Sequence, residues 1–151
     1  MRFLISLLLL TILVPGSGAI AEELTKATVY KDPNCGCCHN YVSYLRENGF
    51  EVEVIDTGDL SSIKQSHGVP EDLAGCHSTL VGGYVVEGHV PVAIVKRLLQ
   101  EKPAISGISL PGMPLGSPGM DGPDYGGRRD PYDVLLVHRD GSSRVYASYK
   151  T

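Results

Sequence analysis

Ala27-Thr28-Val29-Tyr30-Lys31-Asp32-Pro33-Asn34-Cys35-Gly36-Cys37-Cys38-His39-Asn40-Tyr41-Val42 changes its periodicity half-way. Ala27 to Tyr30 is a short apolar strand, and Asp32-Pro33-Asn34 is a turn. From Cys38 onward the apolar side chains Cys38, Tyr41, Val42 and Leu45 recur at i, i+3, i+4 and i+7, which predicts one buried helical face running to Asn48. Gly49 supplies the left-handed residue that ends a helix. Phe50 to Ile55 then sets Phe50, Val52 and Val54 against Glu51 and Glu53, a strand with one side toward a core. The chain thus opens β-α-β, with three thiols packed into the turn that starts the first helix.

Further along, Asp59 to Gln65 reads as a short helix capped by Asp59, and Pro70 starts a brief turn before Gly75. Thr79 to Val81 and Tyr84 to Val86 flank Gly82-Gly83, a hairpin signal. Pro91 suits a first helical position, and Val92, Val95, Leu98 and Leu99 share one face of a helix to about Lys102. The order β-α-β, connection, β-β-α is that of the thioredoxin fold, which keeps its redox cysteines at the start of the first helix. The expected class is α/β, a thioredoxin-like domain with a mixed sheet. Residues 103–131 break the pattern: they hold six of the ten prolines and show no apolar period, so they read as a long loop. Asp133 to Val137 and Arg144 to Tyr149 flank Asp140-Gly141 and predict a C-terminal hairpin.

The N-terminus decides the compartment. Arg2 precedes an apolar run from Phe3 to Val14, Pro15 to Gly18 breaks it, and Ala19-Ile20-Ala21 fits small-x-small cleavage. The run is too short to span a membrane comfortably. We therefore expect a signal peptide at 1–21, a single domain at 22–151, a periplasmic location and no membrane attachment after cleavage. Losing Arg2 takes the formal net charge from −4 to −5. No basic stripe with interleaved aromatics is present, so nucleic acid is not an expected partner.

Cys35, Cys37 and Cys38 lie within four residues, and adjacent cysteines bridge each other only with backbone strain. In an oxidising compartment such thiols persist when metallated, catalytic or cycled. Cys35 and Cys38 form a C-x-x-C at a helix N-terminus, where the macrodipole favours thiolate. Cys37 adds a third sulfur able to bridge metal ions, and thiolates select copper(I), zinc or iron–sulfur iron. Cys76-His77 follows in the segment that leads into the third strand, which in a thioredoxin-like arrangement faces the first cysteines. Cys76 and His77 are candidate ligands on that ground, and His39 because it follows the cluster; His67, His89 and His138 have weaker claims. Met113 and Met120, the two methionines beyond the leader, both sit in the loop; they are either soft thioether ligands or anchors for it.

Tyr30 to Tyr149 resembles the CopG-type family of periplasmic copper-resistance proteins. The marks are Cys35-Gly36-Cys37-Cys38, Cys76-His77, Glu87-Gly88-His89-Val90-Pro91 and the run from Pro111-Gly112-Met113-Pro114 to Pro118-Gly119-Met120. The resemblance implies a thioredoxin-like domain holding a cysteine-bridged copper cluster that interconverts copper(I) and copper(II). The expected ligands are Cys35, Cys37, Cys38 and Cys76, with Met113, Met120, His77 and His39 as further candidates. Copper ions are the expected ligand, and other periplasmic copper-handling or electron-transfer proteins the expected partners. Sequestration or delivery of copper(I) without turnover, and thiol-disulfide exchange without metal, are the competing readings.

Overall fold

A computed structural model describes residues 25–150. The leader expected at 1–21 lies outside them. The chain runs β1 (Thr25–Lys31), α1 (Gly36–Glu47), β2 (Phe50–Asp56), α2 (Leu60–Ser66), a 3-10 turn (Glu71–Leu73), β3 (His77–Val81), β4 (Tyr84–Glu87), α3 (Val92–Glu101), β5 (Gly107–Ser109), a second 3-10 turn (Pro123–Tyr125), β6 (Tyr132–Val137) and β7 (Ser143–Tyr149). All seven strands join one mixed sheet in the order β2-β1-β3-β4-β5-β6-β7. β1 and β2 are parallel, as the helix between them requires, and so are β4 and β5; the other pairs are antiparallel.

The apolar face of α1 is buried through Cys38, Tyr41, Val42 and Leu45. It packs with Val29, Val86, Ile108, Val134 and Leu136 from the sheet and with Val92, Val95 and Leu98 from α3. The helix begins at Gly36, two residues before the apolar period becomes visible, with Cys35 as its N-cap. Asp59 caps α2 by accepting from the Ser62 N–H. Pro91 stands one place outside α3, its ψ of 136° still extended. Gly82 and Gly83 both take positive φ, 57° and 83°, the backbone that a two-residue hairpin of right-handed twist demands.

The main departure from expectation is β5. Gly107-Ile108-Ser109 lies inside the expected loop 103–131, yet it occupies an interior position between β4 and β6 with all three residues buried. A strand covered on both faces need not alternate, and three residues are too few to show a period. Gly107 is required there: a Cβ would lie 1.8 Å from the Val85 carbonyl oxygen.

Two registers set the site. Antiparallel pairing places His77 opposite Lys31, so the start of β3 lies beside the end of β1, where the chain turns into α1. Glu87 pairs with Ser78, so the residues just after β4 return alongside Cys76 and His77. Lys31, 1% exposed, anchors the end of β1 through an ion pair with Asp56 at 2.6 Å and a bond to the Asp32 carbonyl at 3.2 Å.

Candidate metal centre

The two registers bring Cys35, Cys37, Cys38 and Cys76 together, with all four sulfurs within 4.8 Å of one another. Cys35 and Cys38 are joined as a disulfide with a Cα–Cα distance of 5.3 Å, while Cys37 and Cys76 are free. The Cys37 sulfur lies 3.5 Å from that of Cys35 and 3.8 Å from that of Cys76. Cys76 in turn is 3.6 Å from the Cys38 sulfur. Each sulfur of the bonded pair therefore touches a free thiol. Ligation by all four belongs to the reduced form, because a disulfide sulfur is no longer a thiolate.

His77 and His89 complete a second donor group around Cys76. His89 Nδ1 donates to the Pro118 carbonyl at 2.8 Å, which leaves Nε2 as the lone-pair nitrogen, 3.0 Å from the Cys76 sulfur. A ligating imidazole is commonly oriented in this way by a carbonyl on its other nitrogen. His77 Nδ1 lies 3.4 Å from the same sulfur, and its Nε2 is buried with no hydrogen-bond partner among the described residues. His77 Nδ1 and His89 Nε2 thus both face the Cys76 sulfur, and this set of soft sulfurs with two imidazole nitrogens fits a thiophilic metal.

His89 had only a weak claim as a lone histidine. The signal that finds it is its place: Gly88 with φ 74° turns the chain at the end of β4, and the Gly88 N–H bonds the His77 carbonyl at 3.0 Å. His39 is not part of the cluster: it is exposed, with its ring Nδ1 3.1 Å from the Cys35 carbonyl oxygen. Met120 is buried, whereas Met113 is 54% exposed. The loop around them is an ordered strap over the site. Gly116 N–H bonds the Met120 carbonyl at 2.8 Å, Asn40 holds the Gly119 carbonyl from α1, and the Gly112 N–H bonds the Ala74 carbonyl beside Cys76. A Cβ on Gly119, whose φ is 83°, would approach Tyr41 N at 2.9 Å, the Cys37 carbonyl at 3.0 Å and His89 Nδ1 at 3.3 Å.

Beneath Cys76 lies a buried polar knot. Glu87 accepts from the Gly75 N–H at 2.7 Å and the Ser78 hydroxyl at 2.6 Å, and pairs with Lys64 from α2. It ties the residue before Cys76 to the strand that leads to His89. Burial pushes the Glu87 carboxyl above its ordinary range despite Lys64. Burial, then the nearby Cys37, pushes the Cys76 thiol up to about 12. Burial holds His77 well below its ordinary value, helped by His89 and Lys64. His89 is lowered by burial too, against the Pro118 carbonyl and Asp121, which raise it. Both imidazoles are thus neutral and ligand-competent at neutral pH. Tyr41 walls the site: its hydroxyl donates to the Val90 carbonyl at 2.8 Å, and its ring lies against His77 with centroids 4.6 Å apart.

Two solved structures, "Copper resistance protein copG" in Form 1 and Form 2, each match with a TM-score of 0.78 and 40% identity, over 85% of this chain and 100% of theirs. The chain belongs to the copG copper-resistance family. Residues 73–120 also match a family described as a protein of unknown function, DUF411. That stretch carries Cys76, His77, His89 and the strap, so the match to this copG-family chain covers the half of the site contributed after α2. No curated protein sequence matches.

Proposed function

We propose that this protein holds copper on its thiols in the periplasm and interconverts copper(I) and copper(II), as part of copper resistance. The observation that carries the reading is the convergence of four sulfurs and the His89 Nε2, a donor set soft enough to prefer copper(I). On this reading the first four strands with α1 and α3 are a thioredoxin-like unit whose usual redox position has been enlarged by Cys37 and Cys76. Cys37 sits between Cys35 and Cys76 and bridges ions in the reduced form. Cys76 joins the helix side of the site to the histidine side. The Pro118 carbonyl keeps His89 Nε2 turned to the Cys76 side, and the strap with Tyr41 covers the buried histidines, while Cys35, Cys37 and Cys76 stay partly exposed. Met113 and Met120 are proposed thioether ligands contributed by the strap, and His77 a proposed further nitrogen ligand. Copper enters as substrate or cargo, and metal loading must displace the Cys76 proton, so uptake releases acid.

The test is metal analysis of mature protein purified from the periplasm, followed by copper(I) against zinc competition under reducing conditions. Copper should win, and Cys37→Ser should bind fewer copper ions per chain. A zinc-selective site, or unchanged copper in Cys37→Ser, would count decisively against the cluster. The Cys35–Cys38 disulfide favours a second reading, thiol-disulfide exchange without metal. That reading predicts activity in an insulin-reduction assay that Cys37→Ser leaves intact.

A further inference from the structure

Cys35 and Cys38 close into a disulfide while Cys37 and Cys76 remain free in contact with them. From this we infer that the Cys35/Cys38 dithiol is the electron store of the site, and that it reduces copper(II) to copper(I) without an outside donor. The inference rests on the copper reading above and names the source of the electrons. Two copper(II) ions each take one electron. The Cys35 and Cys38 thiols lose two electrons and two protons and form the Cys35–Cys38 bond; two copper(I) ions and two protons are the other products.

Three observations divide the thiols this way. Cys35 caps α1 and Cys38 is one turn inside it, so the pair bonds across a single helical turn with Cα atoms 5.3 Å apart, within the normal span of a disulfide. Each sulfur of the pair abuts a free thiol, at 3.5 Å for Cys35 and 3.6 Å for Cys38, so electrons pass from the pair to a metal held on Cys37 and Cys76 through direct sulfur contact. The donors that survive oxidation, Cys37, Cys76 and His89 Nε2, still form a compact soft set for the copper(I) produced. A plain C-x-x-C has no such receiving site next to its bond. Turnover then needs a dithiol donor. Of the bonded pair only Cys35 is partly exposed, Cys38 being 0% exposed, so the donor attacks the Cys35 sulfur and releases Cys38.

The experiment uses the mature protein, fully reduced, metal-free and anaerobic, mixed with increasing copper(II) and no other reductant. The expected result is loss of the copper(II) paramagnetic signal from two ions per chain, release of the same amount to a copper(I)-selective chelator, and a single disulfide that peptide mapping assigns to Cys35–Cys38. Cys35→Ser, at the partly exposed position, should lose this two-ion phase. The urea-unfolded chain should give mixed pairings, which separates a built site from ordinary thiol chemistry. Copper(II) bound without reduction, a disulfide between Cys37 and Cys76 or between chains, or full two-ion reduction by Cys35→Ser would each overturn the inference. Copper(I) titration of the same reduced sample separates the two levels. Failure to bind copper(I) removes the proposed function, whereas tight binding with failed reduction removes only the electron store.

Discussion

Gly75 shows how much depends on one missing side chain. A Cβ there would stand 2.7 Å from the Gly88 Cα, and the Gly75 N–H is bonded to Glu87. Backbone meets backbone at that point, so no flexible side chain can yield. Gly75→Ala must push the Cys76 segment away from the Gly88-His89 turn. We expect it to fold with a loss of about 1–3 kcal/mol, the usual range for an overpacked contact, and to bind less copper than the parent. Denaturant melts and metal analysis check both; unchanged copper capacity would show that Cys76 does not need this seat. At this scale the cysteines were legible in the sequence because three thiols in four residues have few bland explanations. His89 was not, because a single histidine carries no spacing, and only the β3–β4 register shows that it meets Cys76.

Among the elements, β5 and the strap were the hardest to read. β1, α1 and β2 announce themselves through period and caps, and Gly82-Gly83 through its turn chemistry. Gly107-Ile108-Ser109 offers no period, and its strand character comes wholly from the neighbours it pairs with. Gly107→Ala is therefore expected to cost at least about 3 kcal/mol, the upper end of overpacking penalties, because the new methyl group meets the Val85 carbonyl within the sheet. A melting curve like that of the parent would refute this. The strap is held by scattered backbone bonds and positive-φ glycines, so its order depends on what lies under it. Copper(I) should slow hydrogen exchange between Gly112 and Gly122, and Met113→Leu with Met120→Leu should abolish that protection and weaken copper retention. Equal protection with and without copper would make both methionines anchors.

For the molecule as a whole, two buried neutral histidines make stability depend on acidity. His77 and His89 are held below their ordinary value of 6.5 in the folded protein. Below that pH the unfolded chain takes up protons that the folded chain refuses, so stability falls as pH falls, by up to about 1.4 kcal/mol per pH unit for each histidine. Glu87 works the other way: its raised carboxyl means that the folded form holds a proton more readily above 4.5, which softens the acid loss. The metal-free protein should melt at progressively lower temperature from pH 7 to pH 5.5. A flat profile would mean that the imidazoles are not buried as described.

Gly119 has a consequence for other chains. The strap comes so close to α1 and His89 at that position that nothing larger than hydrogen fits, and the backbone there is left-handed. Position 119 thus serves as a sorting criterion among relatives that owes nothing to the cysteines. A homologue that keeps every thiol but carries a side chain at the equivalent position has to hold this segment elsewhere, and its copper chemistry should be classed separately until its own geometry is known.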